Sequence, residues 1–160
     1  NPVDATITSR TNTVTITDDD DSTPTSTTNA VAVAETNTTL LIIVERSGAN
    51  YIARVQAGEP VNRHKPSVEV LFKSAARVVG PNALGIMLTG MGADGAKAMR
   101  EMRDAGSYNL VQDEASCVVF GMPREAIAHG ASHEVLPLTQ IAPKLIERLR
   151  STSGMSLNRV

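Results

Sequence analysis

Aromatic side chains and cysteine are nearly missing from this sequence. It has no tryptophan, and only 2% of its 160 residues are aromatic. The single cysteine, Cys117, excludes a disulfide within the chain and fits a reducing compartment. With so few rings, a core must be assembled from Val, Ile, Leu, Ala and Met. That composition favours helices packed on a parallel sheet over a β-sandwich.

Long apolar runs and a basic stripe are missing as well. No apolar run reaches the roughly 18 residues that a membrane span requires, and no cationic start followed by an apolar stretch marks a secretory signal. The net charge is −2, and no basic stripe offers a footprint for nucleic acid. We therefore expect a cytoplasmic protein that neither inserts into a membrane nor binds nucleic acid.

The composition changes near residue 39. Residues 1–38 are rich in Thr, Asn and Asp, with four consecutive acids at 18–21 and few large apolar side chains. Such a stretch buries too little surface to offset its ordering entropy, so we predict that it is mostly disordered. Within it, TNTVTIT at 11–17 alternates with a period of two and could form an edge strand. We predict a folded domain at 39–150 and a polar tail at 151–160.

The folded part alternates between strand and helix patterns. The predicted elements, in chain order, are a hairpin of strands at 40–46 and 51–55, a helix at 67–79, a strand at 83–90 buried on both faces, a helix ending at Gly106, a strand at 108–112, a helix starting at Pro123, a strand at 133–138 and a helix at 139–150 capped by Thr139. This order predicts an α/β, Rossmann-like three-layer domain with a mainly parallel sheet and a β-hairpin.

A glycine-rich turn, TGMGADGA, follows the most apolar predicted strand. Ligands of open α/β sheets bind at this carboxyl end. Gly90, Gly92 and Gly95 permit a sharp turn and leave a helix N-terminus uncovered. Asp94 lies in the turn, where free N–H groups and the helix dipole would hold its carboxylate. A fixed carboxylate suits the acid of a hydrolytic triad, but aspartate also merely caps helices. Spacing alone leaves both interpretations open.

A dinucleotide site is a second interpretation of the same turn. Gly90-x-Gly92-x-x-Gly95 matches the G-x-G-x-x-G fingerprint after a strand. Asp113 and Glu114 follow about 20 residues later, where an acid that binds the ribose would stand. Against it, Asp94 puts negative charge where a pyrophosphate would bind.

Longer strings resemble a known family. The segment LTGMGADGAKAMREMRDAGSYNLVQDEASCVVFGMPREAIAHGA, with VNRHKPSVEVLFKSAA and SGANYIARV before it, resembles the chemotaxis protein-glutamate methylesterase (CheB) family over residues 40–150. The resemblance implies the C-terminal part of a catalytic domain that lacks its usual first strands. It also implies hydrolysis of glutamate methyl esters, and deamidation of certain glutamines, on the cytoplasmic helices of methyl-accepting chemoreceptors. The implied mechanism uses Ser, His and Asp and needs no cofactor.

The resemblance assigns roles at the glycine turn. It places the catalytic aspartate at Asp94 and an active-site lining at Met91, Gly90 and Gly92, with the Met91 N–H near the oxyanion. The family's serine and histidine motifs, similar to G-A-S-T-G-G and Q-H-M-P, do not occur in this sequence, nor does its receiver domain. We therefore expect impaired activity, and a non-catalytic remnant that binds receptors is an alternative.

No other residue replaces the serine or the histidine by spacing. Ser116 and Cys117 are adjacent, but no spacing links a histidine base to them, and Cys117 is predicted to be a small buried hydrophobe. His64 is predicted to be a loop residue that hydrogen-bonds to backbone or shapes the rim of the cleft. His129 and His133 are predicted at the surface near a helix end. Gly130 between them and the lack of a third ligand argue against a metal site.

Overall fold

A computed structural model describes residues 40–155 of the chain. The predicted low-complexity segment at 1–38, with its possible edge strand at 11–17, lies outside the described residues, as do the last five residues of the predicted tail. The elements, in chain order, are β1 Leu40–Ser47, β2 Asn50–Ala57, α1 Val68–Val78, a 3-10 turn at Gly80–Asn82, β3 Leu84–Met87, α2 Ala96–Asp104, β4 Tyr108–Gln112, α3 Met122–Ala128, β5 Glu134–Leu136 and α4 Leu138–Met155.

The predicted hairpin and parallel sheet are both present. Strands β1 and β2 pair antiparallel, with Ser47 opposite Asn50 across a two-residue turn. Strands β3, β4 and β5 pair in parallel, in that order. Helix connections between the parallel strands cover the sheet, as βα units require. None of the helices within residues 40–155 combines the length and apolarity that a bilayer crossing requires.

Helices lie on both faces of the parallel sheet, which gives the three predicted layers. The Asn109 side chain of β4 donates to Met99 O of α2 at 2.8 Å. The neighbouring Tyr108 points to the opposite face, where the Arg148 guanidinium of α4 lies 3.9 Å from its ring centroid. Successive residues of a strand face opposite sides, so α2 and α4 sandwich the sheet.

Helix α1 joins the hairpin to this sandwich. Leu71, Phe72 and Ala75 are buried on one face of this helix. On the hairpin side, the Val44 N–H donates to the buried Ser74 Oγ at 2.8 Å. The helix ends before Gly80, whose φ of +57° only glycine adopts without strain. The predicted stop is therefore confirmed.

Two local predictions are wrong. Strand β3 is shorter than predicted and is not buried on both faces: Gly85 and Met87 are buried, whereas Leu84 and Ile86 are half-buried. The reason is that β3 is the edge of the sheet within residues 40–155.

Thr139 does not cap the last helix. Helix α4 begins one residue earlier, at Leu138, which places Thr139 inside its first turn. The N–H of Leu138 instead donates to Ser116 Oγ at 3.0 Å. A hydroxyl distant in sequence thus replaces the local cap that the pattern suggested. The helix continues to Met155, into the stretch predicted as a tail.

Candidate active site

The glycine turn is held in place by the loop that precedes α3. Gly90 pairs with Phe120 as a parallel bridge. Its N–H donates to Val119 O at 3.1 Å, and its carbonyl accepts the N–H of Met122 at 2.8 Å. A Cβ on Gly121 would meet Gly90 O at 2.7 Å, so glycine permits this close approach of two backbones. The VVFGMP string therefore has a structural role at the turn.

Asp94 is buried, and its carboxylate caps a helix other than its own. Only 6% of the residue is exposed. Its Oδ1 accepts hydrogen bonds from Ser67 Oγ at 2.9 Å and from the N–H of Glu69 at 3.2 Å. Its Oδ2 accepts one from the N–H of Val68 at 2.6 Å. These donors belong to the start of α1, so the expectation that N–H groups of its own turn hold the carboxylate is wrong.

The N-terminus of α2 is also occupied, contrary to expectation. Glu69 is 4% exposed, and its Oε2 accepts the N–H of Ala98 in the first turn of α2 at 3.2 Å. Its Oε1 lies 3.1 Å from Lys73 Nζ, and the hydrogen bond with Glu69 raises the pKa of Lys73. A buried carboxylate thus stands where a dinucleotide pyrophosphate would need free N–H groups.

A cavity of about 660 Å³ opens beside the turn. Asp94 and Met91 line it together with Arg63, His64 and Lys65. Met91 is 78% exposed, and its N–H donates to no described residue. Gly90 and Gly92 shape the turn without lining the cavity. His64 is close to that turn, since a Cβ on Gly92 would lie 4.0 Å from its Nε2.

Ser116 has a structural role. Its Oγ donates to Asp113 Oδ1 at 2.5 Å and accepts from the N–H of Leu138. The Asp113 carboxylate also accepts the N–H of Ser116 at 3.0 Å. This network ties the loop to α4. It also occupies Asp113, the acid that a dinucleotide site would have used.

Cys117 is half-buried rather than buried as predicted. Burial raises the pKa of its thiol, whereas an activated nucleophile has a lowered pKa.

The two histidines after α3 differ from each other. His129 is exposed at the end of the helix, as predicted. His133 is exposed as well, as predicted, but its Nδ1 accepts the N–H of Asn109 in β4 at 3.0 Å. Its ring stacks on Tyr108 at a centroid distance of 4.7 Å. Partial burial of the ring, assisted by Arg103 and Arg148, lowers the pKa of His133, which favours the neutral imidazole. Within residues 40–155, no three potential ligands from His, Cys, Asp and Glu are grouped to hold a metal.

Ser67 and Glu69 are the residues near Asp94 that the sequence interpretation missed. A signal for Glu69 was available. It lies three residues before Phe72 and seven before Ala76, which places it on the helix face that carries these apolar side chains. A carboxylate on a buried stripe requires a partner. Its partner at Ala98 is distant in sequence, which no periodicity reveals.

These features define an α/β domain with a buried carboxylate and a cavity where a parallel strand ends. The sequence model of the CheB methylesterase family matches residues 5–145, and the chain belongs to that family. The match includes part of the segment at 1–38. The predicted membership of the CheB family is therefore confirmed.

Relatives with curated names agree with the family. The chain is 77% identical over 110 residues to protein-glutamate methylesterase/protein-glutamine glutaminase 1 of Albidiferax ferrireducens, covering 69% of this chain and 30% of that protein. It is 64% identical over 104 residues to the enzyme of the same name from Ralstonia nicotianae, covering 65% of this chain and 27% of that protein. The chain thus spans about a third of the length of these relatives.

A solved structure agrees with the fold. The Thermotoga maritima CheB methylesterase catalytic domain superposes with a TM-score of 0.65 at 30% identity, covering 68% of this chain and 57% of that one. This likeness confirms the predicted α/β fold class.

Proposed function

We propose that this chain supplies the aspartate-bearing part of a protein-glutamate methylesterase and protein-glutamine glutaminase site. The partner would be the cytoplasmic helices of a methyl-accepting chemoreceptor, and the location the cytoplasm. The observation that carries the proposal is the Asp94 carboxylate, fixed by three donors of α1 on the wall of a cavity at the end of β3.

The chemistry follows from the position of this carboxylate. In a Ser-His-Asp site, the aspartate orients a histidine and stabilises the imidazolium that forms when serine attacks the ester carbonyl. Methanol leaves with the proton from the imidazolium, and water then hydrolyses the acyl-enzyme. The two Asp94 oxygens carry three bonds to α1, two on Oδ1 and one on Oδ2. Oδ2 therefore retains the capacity to accept an imidazole N–H. The N–H of Met91 at the turn, which donates to no described residue, suits the oxyanion.

The isolated chain is expected to release little or no methanol from methylated receptor membranes. The family's serine and histidine motifs do not occur in its sequence, and no described histidine donates to Asp94. A rate close to that of a complete catalytic domain, abolished by Asp94→Ala, would contradict this expectation.

A chimera tests the role of Asp94 directly. Residues 40–150 of this chain would replace the matching segment of the Albidiferax ferrireducens relative, and methanol release would be measured. We expect an active chimera in which Asp94→Asn lowers kcat by about 10⁴-fold, as for the aspartate of other triads. Asp104→Asn is the matched control, because that acid is exposed on α2. An Asp94→Asn chimera that folds and retains full activity would rule out the proposed role.

A receptor-binding module without hydrolysis is the second candidate. Two observations favour it: the cavity beside Asp94 is present, and none of the described groups that donate to Asp94 is a histidine. Co-sedimentation of the chain with receptor membranes, without methanol release, would support this candidate. Failure of the chain to co-sediment with receptor membranes would exclude this candidate.

A further inference from the structure

The cavity beside Asp94 combines an apolar interior with a cationic rim. Its interior walls come from both α1 and β3, and their apolar residues include Leu71 and Phe72 of α1 and Ile86 and Met87 of β3. Arg63 and Lys65 contribute cations to the same cavity. An apolar interior favours a neutral side chain, because an ionised group would lose its hydration there. Cations at the rim favour an anion that stays hydrated.

The loop that carries these cations is preorganised. Val61 and His64 exchange two backbone hydrogen bonds, at 3.0 Å and 2.9 Å. Between them, Asn62 and Arg63 have φ values of +52° and +70°. Two successive positive φ angles define a tight turn with Arg63 at its tip. Little backbone ordering entropy therefore remains to be lost when a ligand binds.

The positive charge of this rim is not compensated nearby. Neither Arg63 nor Lys65 forms an ion pair with any acid in the described part of the chain. The acid that lines the cavity, Asp94, is buried and engaged by α1. The cavity therefore presents two cations to a ligand even though the whole chain has a net charge of −2.

We propose that Arg63 and Lys65 bind carboxylate side chains that flank the target residue of an acidic polypeptide, while the neutral target side chain enters the cavity. The inference rests on the proposed function for the identity of the target, a glutamate methyl ester or a glutamine. It adds a rule of specificity: neutral residues surrounded by acids are preferred over the same residues in a neutral context.

Peptide binding tests this rule without requiring turnover. The probes are a fluorescein-labelled helical peptide with one glutamine flanked by glutamates, and a matched peptide with glutamines at the flanking positions. Fluorescence anisotropy with the wild-type chain is expected to give about tenfold tighter binding of the acidic peptide, weakening as salt is added. Equal affinity for both peptides, or no binding of the acidic one, would overturn the proposal.

Variants locate the effect on the rim. Arg63→Gln/Lys65→Gln is expected to weaken binding of the acidic peptide by about threefold to tenfold. Arg77→Gln/Arg150→Gln removes the same charge from exposed positions outside the cavity and is expected to leave Kd unchanged. Arg63→Glu/Lys65→Glu is expected to transfer the preference to a lysine-flanked peptide, which loss of folding alone cannot produce. Unchanged Kd in both rim variants would overturn the proposal.

Three further outcomes are distinguishable. Single-stranded RNA that binds as tightly as the acidic peptide, with the same sensitivity to the rim variants, would overturn the assignment to carboxylates. A chimera that is inactive while the chain retains acid-dependent peptide binding would remove the proposed function and leave this inference standing. An active chimera whose kcat/KM is equal for targets in acidic and neutral contexts would support the proposed function and overturn this inference.

Discussion

Glu69 and Asp94 cap each other's helices. Asp94, just before α2, accepts the N–H groups of Val68 and Glu69 at the start of α1. Glu69, in the first turn of α1, accepts the N–H of Ala98 at the start of α2. The two carboxylates thus satisfy donors that each helix leaves unpaired at its own N-terminus. The proposed catalytic aspartate is therefore also a link between two helices.

Replacing Glu69 by glutamine is expected to destabilise the fold. The variant keeps the shape of the side chain but removes the charge from the hydrogen bond to Ala98 and from the pair with Lys73. A buried hydrogen bond to a charged group contributes about 1.5–3 kcal/mol, so we expect a loss of about 1–3 kcal/mol in the free energy of unfolding. Urea denaturation followed by circular dichroism measures it.

Glu101→Gln is the matched control for this change. Glu101 also faces Lys73, at 3.8 Å, but its side chain is 53% exposed. An exposed pair contributes little, so the change is expected to stay within about 0.5 kcal/mol. Equal effects of the two substitutions would show that burial of Glu69 at the start of α2 has no energetic consequence.

Gly121→Ala is expected to disturb the glycine turn by steric contact. The new Cβ would meet Gly90 O at 2.7 Å and the Gly92 N at 2.9 Å, and neither backbone atom can move without shifting the turn. Overpacking of this kind costs about 1–3 kcal/mol. Gly48→Ala is the contrasting control, with open space around the Cβ and only its φ of +60° to strain, which costs about 1 kcal/mol. Urea midpoints that rank Gly48→Ala as the more damaging change would contradict this account.

The order of elements could be predicted because each has its own local period. The apolar stripe of α1, the β-branched residues of β1 and the glycines that end α1 and α2 each act within a few residues. Exposure of β3 could not be predicted, because burial depends on which strands pair at its edge. The prediction of a Thr139 cap on α4 was wrong because the observed acceptor, Ser116, is 22 residues away from Leu138. Local sequence patterns do not reveal a partner at that distance.

The position of the site was more predictable than its bonding. A glycine turn after an apolar strand predicted a site at Asp94, and in the structure Asp94 lines a cavity. Its three donors lie 25 to 27 residues earlier in the chain, which spacing within a motif cannot reveal. The choice between a cap and a catalytic acid remained open in the sequence. The structure shows the cap, on an unexpected helix, and the catalytic role stays a proposal.

His133 is a proton-dependent contact between the sheet and the segment before β5. Its Nδ1 accepts the N–H of Asn109, which requires that nitrogen to be unprotonated. Burial and the nearby Arg103 and Arg148 lower the pKa of the ring, against a weaker opposing effect of Glu134. The folded chain therefore favours the neutral imidazole more than the unfolded chain does.

This preference makes stability depend on pH in one direction. The unfolded ring has its ordinary pKa near 6.5, so above that pH the contribution of His133 is fully present. As the pH falls below about 6.5 and then through the lower folded pKa, the unfolded chain binds more protons and this contribution is lost. Urea midpoints measured between about pH 5 and 8 are expected to fall less steeply on acidification in His133→Gln than in the wild type. His129→Gln is the control, because His129 lacks the contact with Asn109 that His133 makes, and it is expected to retain the wild-type slope. A His133→Gln slope equal to that of His129→Gln would exclude the Asn109 contact as the cause.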